Sequence, residues 1–218
     1  MRTLRVTGKG EMKLRPDLTR ICITLSGLYK DYAETLRRSS EDTEKLKDLL
    51  EKYGFGRNDL KTLDLSVDPE YESYRDGNEY KQRFAGYRYR HLTKIEFVSD
   101  NDRLGRVLSA LTGSDLCPEF NIAFTVKDRE AAKNELLGRA VEDAKEKALV
   151  LAKASGAVLR NIQTIDYSRG EIPMEIRPMN RMIASAKMED SASGAYTVNV
   201  EPDDIGVSDT VSIIWEIE

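Results

Sequence analysis

The N-terminal stretch at residues 4–27, LRVTGKGEMKLRPDLTRICITLSG, contains two segments of alternating polarity. Apolar and polar side chains alternate from Ile21 to Leu25, which is typical of a strand with one buried face. Gly8 and Gly10 tolerate the backbone angles of a β-bulge, and Pro16 ends strand pairing. The stretch therefore predicts a bend that joins the first two strands of one sheet.

The same alternation recurs along the rest of the chain, in segments that begin near Leu63, Tyr87, Phe120 and Val207. Each of these segments is apolar on one face, whereas strands of parallel sheets between helix layers are apolar on both. The pattern therefore predicts an α+β fold, with one mixed or antiparallel sheet covered on one face by about three helices. The expected order of elements is ββαβ-βαβαββ.

Three segments carry apolar residues at helical spacing. They run from about Asp31 to Tyr53, from Asp100 to Leu111, where Ser99 is the expected N-cap, and from Asp128 to Ser155. The third is followed by Gly156, which is a common helix terminator. These are the three helices expected to cover the sheet.

Two segments interrupt the periodicity. Asp76-Gly77-Asn78 is a turn signal that predicts a long hairpin from about Leu63 to Phe97. The sequence predicts a single domain over residues 1–218, with an irregular loop at about residues 168–204. A loop of that length is usually functional or disordered. Its adaptable methionines are a second candidate contact with a partner, and they are Met174, Met179, Met182 and Met188.

Charge and hydropathy exclude several classes of protein. The 218 residues include 34 basic and 38 acidic side chains, for a net charge of −4, so no long-range field attracts nucleic acid. No apolar stretch approaches the roughly 18 residues that span a bilayer, and the first residues lack the apolar segment of a signal peptide. The chain as it stands is expected to be soluble and cytoplasmic, or periplasmic or in the cell envelope if an export signal has been removed.

Few residues have the chemistry of a catalytic or metal site. Cys22 and Cys117 would allow one disulfide, but neither lies in a Cys-x-x-Cys pair, and two reduced structural thiols are expected. His91 is the single histidine, which excludes a histidine-based metal cluster, and its strand position predicts a partly buried, hydrogen-bonded side chain. No catalytic residue, metal ligand or cofactor is predicted.

The predicted hairpin interleaves cations with aromatic residues at positions 81–90, KQRFAGYRYR. This combination is found both in single-stranded nucleic-acid binders and in protein interfaces. Strand alternation separates the tyrosines from the arginines, and acidic residues around Glu70, Glu72, Asp76 and Glu79 should pair with the arginines across the hairpin. Subunit contact is therefore preferred to a merely solvated face or to nucleic acid. The candidate interface residues are Tyr71, Tyr74, Tyr80, Arg83, Tyr87, Arg88 and Arg90.

Six segments in a fixed order resemble the SIMPL-domain family over essentially the whole chain. They are Val6–Gly10, Arg15–Asp17, Lys61–Tyr71, Gly86-Tyr87, Ala140–Gly156 and Val207–Glu218. The resemblance implies an α+β fold, self-association into ring-like or channel-like oligomers in some members, and an occasional link to stress tolerance. It supplies no catalytic residue.

The expected function is that of a non-enzymatic, self-associating protein without a cofactor. The alternative is an enzyme or small-ligand receptor, with a pocket under the loop at 168–204. A weak single-stranded nucleic-acid binder is third.

Overall fold

The computed structural model describes residues 2–77, 79–167, 170, 172–177 and 201–218. Its elements are β1 (Arg2–Leu14), β2 (Leu18–Tyr29), α1 (Tyr32–Glu51), β3 (Lys61–Asp76), β4 (Glu79–Val98), α2 (Asn101–Thr112), β5 (Glu119–Thr125), α3 (Arg129–Ser155), β6 (Leu159–Asp166), β7 (Glu175–Ile176) and β8 (Ile205–Ile217). The α+β class, the antiparallel pairing and the order of elements are confirmed, with the short strand β7 added.

The strands belong to two sheets rather than to the one predicted. The chain divides into unit 1, which comprises Met1–Asp17, Thr125–Ile176 and Pro202–Glu218, and unit 2, which comprises Leu18–Phe124 and Arg177–Glu201. Unit 1 contains a sheet of order β1-β8-β6, and unit 2 contains strands in the order β3-β4-β2-β5. That residues 1–218 form a single domain stays a prediction.

The prediction of a bend between the first two strands of one sheet was wrong. Strand β1 pairs with β8 in unbroken register, from Arg2 opposite Ile217 to Leu14 opposite Ile205, whereas β2 pairs in the other sheet. There is no bulge at the glycines. They are needed because a Cβ on Gly8 would lie 2.0 Å from the Ala140 carbonyl oxygen, and one on Gly10 would lie 2.1 Å from that of Leu136.

These glycines allow helix α3 to lie directly on β1. The helix presents a stripe of small buried side chains to the sheet, formed by Ala140, Ala144 and Ala148, which pack with Val211, Ile213 and Trp215 of β8. At its ends, the Asp128 side chain accepts a hydrogen bond from the Ala131 amide, and Gly156 adopts a left-handed conformation with φ of 72°.

Unit 2 has a β-α-β-β-α-β order, in which β2-α1-β3 is followed by β4-α2-β5. This order, with the strands arranged β3-β4-β2-β5, is the ferredoxin-like or split β-α-β arrangement. The buried face predicted for β4 is confirmed, since Tyr89, His91, Ile95 and Phe97 are all buried. The N-cap of α2 is Asp100 rather than Ser99, because the Asp100 carboxylate accepts from the Arg103 amide at 3.0 Å. No helix among the described residues combines the length and hydropathy needed to cross a membrane.

Candidate functional site on the long hairpin

The long hairpin of unit 2 consists of β3 and β4. The two strands pair from Lys61 opposite Lys94 to Asp76 opposite Glu79. Gly77 follows β3 with a φ of +64°, in the left-handed region that tight hairpin turns require. The hairpin predicted from the turn signal is confirmed, although Asn78 lies outside the described residues.

A β-bulge changes the strand alternation partway along β4. Glu70 pairs with Gly86 and Tyr71 pairs with Phe84, so Ala85 is an extra residue on β4. Gly86 has a φ of +150°, and a Cβ at this position would lie 2.4 Å from the Tyr29 carbonyl oxygen. The bulge brings Phe84 to the same face as Tyr87.

Because the bulge changes the alternation of β4, four aromatic side chains come together in a row. We call this set the aromatic row, and its members in order are Tyr32, Tyr87, Phe84 and Tyr71. Successive ring centroids are 5.3, 5.1 and 5.8 Å apart, and each pair meets edge to face. The row is open to solvent, since Tyr32, Phe84 and Tyr71 are 48%, 40% and 57% exposed. The sequence analysis selected Tyr71 and Tyr87 but missed Phe84 and Tyr32. The Ala85-Gly86 pair within a strand pattern was the available signal for a bulge.

The cations of the hairpin are paired with carboxylates on the neighbouring strand. The Arg88 guanidinium contacts both carboxylate oxygens of Glu70, with Nη2 2.8 Å from Oε1, and Arg83 Nε lies 2.6 Å from Oε1 of Glu72. Lys81 pairs with Asp76 at 2.5 Å. The predicted pairing across the hairpin is thus confirmed for these residues. The hydrogen bond from Arg88, opposed by partial desolvation, lowers the pKa of Glu70 below its usual range.

The predicted separation of tyrosines from arginines holds only in part. Along residues 87–90 of β4, Tyr89 is buried while Arg88 and Arg90 are exposed. Nearer the turn, the Arg83 guanidinium lies 5.6 Å from the centre of the Tyr74 ring, so these two side chains share a face. Tyr80 lies opposite Arg75 and is 81% exposed.

His91 and Tyr89 form a buried polar cluster beneath α1, as the strand position of His91 predicted. Thr43 Oγ1 donates to the Ser39 carbonyl at 2.7 Å, so His91 Nδ1 donates to Thr43 Oγ1 at 2.9 Å. The unprotonated Nε2 then accepts from Thr62 Oγ1 at 2.9 Å. Burial lowers the pKa of His91, and the positive charge of Lys47 adds to this effect.

The second half of the cluster is the Tyr89 hydroxyl, which donates to Asp42 Oδ2 at 2.7 Å. Burial first, and then the hydrogen bond and charge of Asp42, raise the pKa of Tyr89 well above its usual range. All the polar atoms described for His91 and Tyr89 are thus engaged within unit 2. The cluster explains how these residues are buried, and it offers no exposed nucleophile or base.

The remaining candidates are distributed between the two units. Cys22 and Cys117 are not joined by a disulfide. Met174 is only 3% exposed and packs in unit 1 beside Val126, so the prediction that it contacts a partner was wrong. Met179, Met182, Met188 and most of the loop at 168–204 lie outside the described residues. Over the part of the chain that the structure describes, no three His, Cys, Asp or Glu side chains converge as metal ligands.

The fold and the hairpin define a two-unit α+β protein that presents exposed aromatic side chains on a long hairpin. A family model described as "SIMPL: Protein of unknown function (DUF541)" matches residues 4–215, and the chain belongs to this family.

Two groups of relatives match nearly the whole chain. The 26 kDa periplasmic immunogenic protein of Brucella melitensis is 28% identical, over 99% of this chain and 84% of its own length. The uncharacterized protein YggE of Edwardsiella ictaluri is 23% identical, over 97% and 85%, and that of Escherichia coli K12 is 22% identical, over 97% and 82%.

Among solved structures, CutA from Synechococcus elongatus matches 60% of this chain and 95% of its own. The TM-score is 0.21 and the identity 11%, a likeness too low to bear on fold or function.

Proposed function

We propose that this chain is a non-enzymatic protein that self-associates through the long hairpin. The observation that supports the proposal is the aromatic row, which lies exposed on a continuous stretch of β3, β4 and the start of α1. Tyrosine, phenylalanine and arginine are enriched at the centres of protein interfaces, where their large surfaces are removed from water. A second copy that covers the row would bury three half-exposed rings.

The charges of the hairpin favour a protein partner over nucleic acid. Arg88 and Arg83 already pair with Glu70 and Glu72, so phosphate groups would have to compete with these carboxylates. The net charge of −4 adds no attraction for a polyanion. A protein surface, in contrast, can retain the pairs at the rim of an interface.

The test is the molar mass of the full chain, measured by light scattering over a range of micromolar concentrations. We expect a mass above the 24.7 kDa of one chain, and we expect Tyr71→Ser/Phe84→Ser to shift it toward the monomer. The matched control is Leu149→Ser, because Leu149 is a 50% exposed apolar residue on α3 of the other unit. Circular dichroism checks that each variant is folded.

Two results would contradict the proposal. One is a wild-type chain that is monomeric at every concentration and salt level. The other is an oligomer whose mass falls equally in the hairpin variant and in the Leu149→Ser control.

A role in stress tolerance and a place in the cell also belong to the proposal. One relative is described as periplasmic, and we extend this location, or another part of the cell envelope, to the natural gene product if it carries an export signal. Fractionation of cells that express the natural gene decides the location, and survival of a deletion strain under stress tests the role.

The alternative functions have weaker support. A pocket under residues 168–204, for an enzyme or small-ligand receptor, would involve a segment that lies mostly outside the described residues, and a metabolite retained in native mass spectrometry would favour it. Single-stranded DNA binding requires a salt-dependent mobility shift that is lost in Arg83→Ala/Arg88→Ala/Arg90→Ala.

A further inference from the structure

The bulge on β4 lies where the pairing of β4 with β2 ends. The last pair of those two strands is Tyr29 opposite Tyr87, and beyond it lie residues 70–76 and 79–86, which we call the outer half of the hairpin. Gly86 fixes the position of the bulge, because its φ of +150° favours glycine and an added Cβ would meet the Tyr29 carbonyl oxygen. The bulge therefore decides which side chains of the outer half lie on the same face as Tyr87.

One face of the outer half continues the aromatic row and carries little charge. Opposite residues of antiparallel strands share a face. We call this one the row face, and its residues in opposite pairs are Tyr71 and Phe84, Ser73 and Gln82, and Arg75 and Tyr80. Only one of these six residues, Arg75, is charged.

The other face of the hairpin carries a ladder of ion pairs, and we call it the ladder face. Its pairs are Glu70 with Arg88, Glu72 with Arg83, and Asp76 with Lys81. Tyr74 also lies on this face, beneath the Arg83 guanidinium. The two faces of one hairpin thus differ sharply in chemistry.

A partner that covered the ladder face would have to remove three ion pairs from water, and the desolvation of paired charges is costly. A partner on the row face would instead remove half-exposed rings from water, which is the usual core of a protein interface. Arg75 lies near the turn, where it can remain at a hydrated rim. The row face is therefore the better surface for a protein contact.

We propose that a second copy of this chain covers the row face and leaves the ladder face in water, so that the bulge determines which side of the hairpin is recognised. This inference rests on the proposed function and narrows it to one face. If Ala85 held a regular place in the alternation, Phe84 would lie among the ion pairs. Two row faces can meet about a twofold axis with the turn of one hairpin at the base of the other, which keeps the two Arg75 side chains apart.

The proposal divides the candidate interface residues that the sequence predicted. Tyr71, Tyr80 and Tyr87 lie on the side of the row and inside the contact. The residues on the opposite side, outside the contact, are Tyr74, Arg83, Arg88 and Arg90.

The first experiment compares two exposed tyrosines of β3 that lie on opposite faces. Tyr71 is 57% and Tyr74 is 40% exposed. We expect Tyr71→Ser to raise the dissociation constant of the oligomer about tenfold, as the loss of an interface aromatic does, and Tyr74→Ser to change it less than about twofold. Sedimentation equilibrium of the full chain measures both constants, and circular dichroism checks the fold.

The second experiment turns the outer half over without changing its own residues. One threonine inserted between Glu70 and Tyr71 gives Ala85 a partner, so Tyr71 and Phe84 move to the ladder face while they stay opposite each other. Deletion of Ala85 is the matched control, because it also changes the length by one residue but leaves Phe84 on the side of Tyr87. The insertion should weaken association about tenfold, and the deletion less than about twofold.

A nuclear Overhauser contact between the Phe84 and Tyr87 rings reports the face independently of association. It should be present in the wild type and in the deletion variant and lost in the insertion variant. If the insertion variant keeps the ring contact, the bulge does not set the face and the inference is overturned.

The remaining outcomes separate this inference from the proposed function. If the wild type associates, and Tyr74→Ser weakens it as much as Tyr71→Ser, the hairpin contact stands and the choice of face fails. An insertion variant that loses the ring contact but keeps its mass, or a deletion variant that loses its mass, overturns the choice of face as well. A monomeric wild type, or an oligomer that neither serine substitution weakens, overturns both.

Discussion

Units 1 and 2 both place helices on one face of an antiparallel sheet, but they fill the space between helix and sheet in opposite ways. In unit 1, glycines of β1 face the alanine stripe of α3, so that backbone lies almost against backbone. In unit 2, α1 and α2 are held away from the sheet by large buried side chains such as Ile23, Leu46 and Phe97. The first arrangement depends on the absence of side chains, and the second depends on their volume. Unit 1 should therefore be sensitive to added atoms, and unit 2 to removed ones.

The largest effect is expected where a single methyl group is added to unit 1. In Gly8→Ala the new Cβ would lie 2.0 Å from the Ala140 carbonyl oxygen and 2.5 Å from the Ala144 amide nitrogen. Because these are backbone atoms of a helix, they cannot move aside like a side chain. We expect a loss of about 4 kcal/mol in the free energy of unfolding, above the roughly 1–3 kcal/mol usual for overpacking.

Urea unfolding measures this loss, and the single tryptophan makes the measurement specific to unit 1. Trp215 is buried in that unit, so its fluorescence reports the transition there. The matched control is Gly206→Ala on β8, where an added Cβ meets nothing within 4 Å. Equal losses from the two substitutions would contradict the close approach of α3 to β1.

Removing atoms from unit 2 should have the next largest effect. Leu46 of α1 is fully buried among the large side chains of that unit, and Leu46→Ala should cost about 3 kcal/mol, from lost burial and the cavity that remains. Far-UV circular dichroism in urea measures the loss. Leu36→Ala on the same helix is the control, since Leu36 is 42% exposed and should change stability much less. If the two variants lost the same stability, side-chain volume would not be what holds α1 on the sheet.

The contrast between the units also explains which features could be predicted from sequence. Helix and strand positions follow from local periodicity and caps, and the long hairpin follows from the turn at Gly77. The role of Gly8 could not be predicted in this way, because a glycine that permits a bulge and one that admits a helix look alike locally. The distinction depends on Ala140, which is distant in sequence.

The candidate site also contains residues that local sequence patterns select and residues that depend on tertiary contacts. Tyr71 and Tyr87 could be selected because they stand among cations on a predicted hairpin. Phe84 was missed because its face depends on the bulge at Ala85, for which the Ala85-Gly86 pair was the one local signal. Tyr32 could not be selected, because it joins the row only through the tertiary contact of α1 with β4.

A smaller effect should follow from removing one hydroxyl from unit 2. Among the described residues, the buried polar side chains other than Thr125 all belong to this unit. Tyr89→Phe removes the donor to the Asp42 carboxylate and should cost about 2 kcal/mol, the usual value of a hydrogen bond to a charged group. Urea unfolding followed by circular dichroism measures it. If Tyr89→Phe left the free energy of unfolding unchanged, the hydroxyl would not contribute to holding α1 in place.

The smallest effect is expected from pH, through His91. Because burial lowers the pKa of His91 in the folded chain, the unfolded chain binds more protons at mildly acidic pH. The contribution of the neutral imidazole is therefore present above the unfolded pKa, about 6.5, and is lost as pH falls below it. The protonated ring could still donate to both Thr43 and Thr62, so the loss comes from desolvation and from the charge of Lys47.

The measurement is the urea midpoint between neutral pH and about pH 5, above the range in which most carboxylates titrate. His91→Gln keeps a polar side chain but removes the titration. The wild-type midpoint should fall more steeply with decreasing pH than that of His91→Gln. Parallel slopes would show that the imidazole is as well solvated in the folded chain as in the unfolded one, which would contradict the closed packing of α1 on β4.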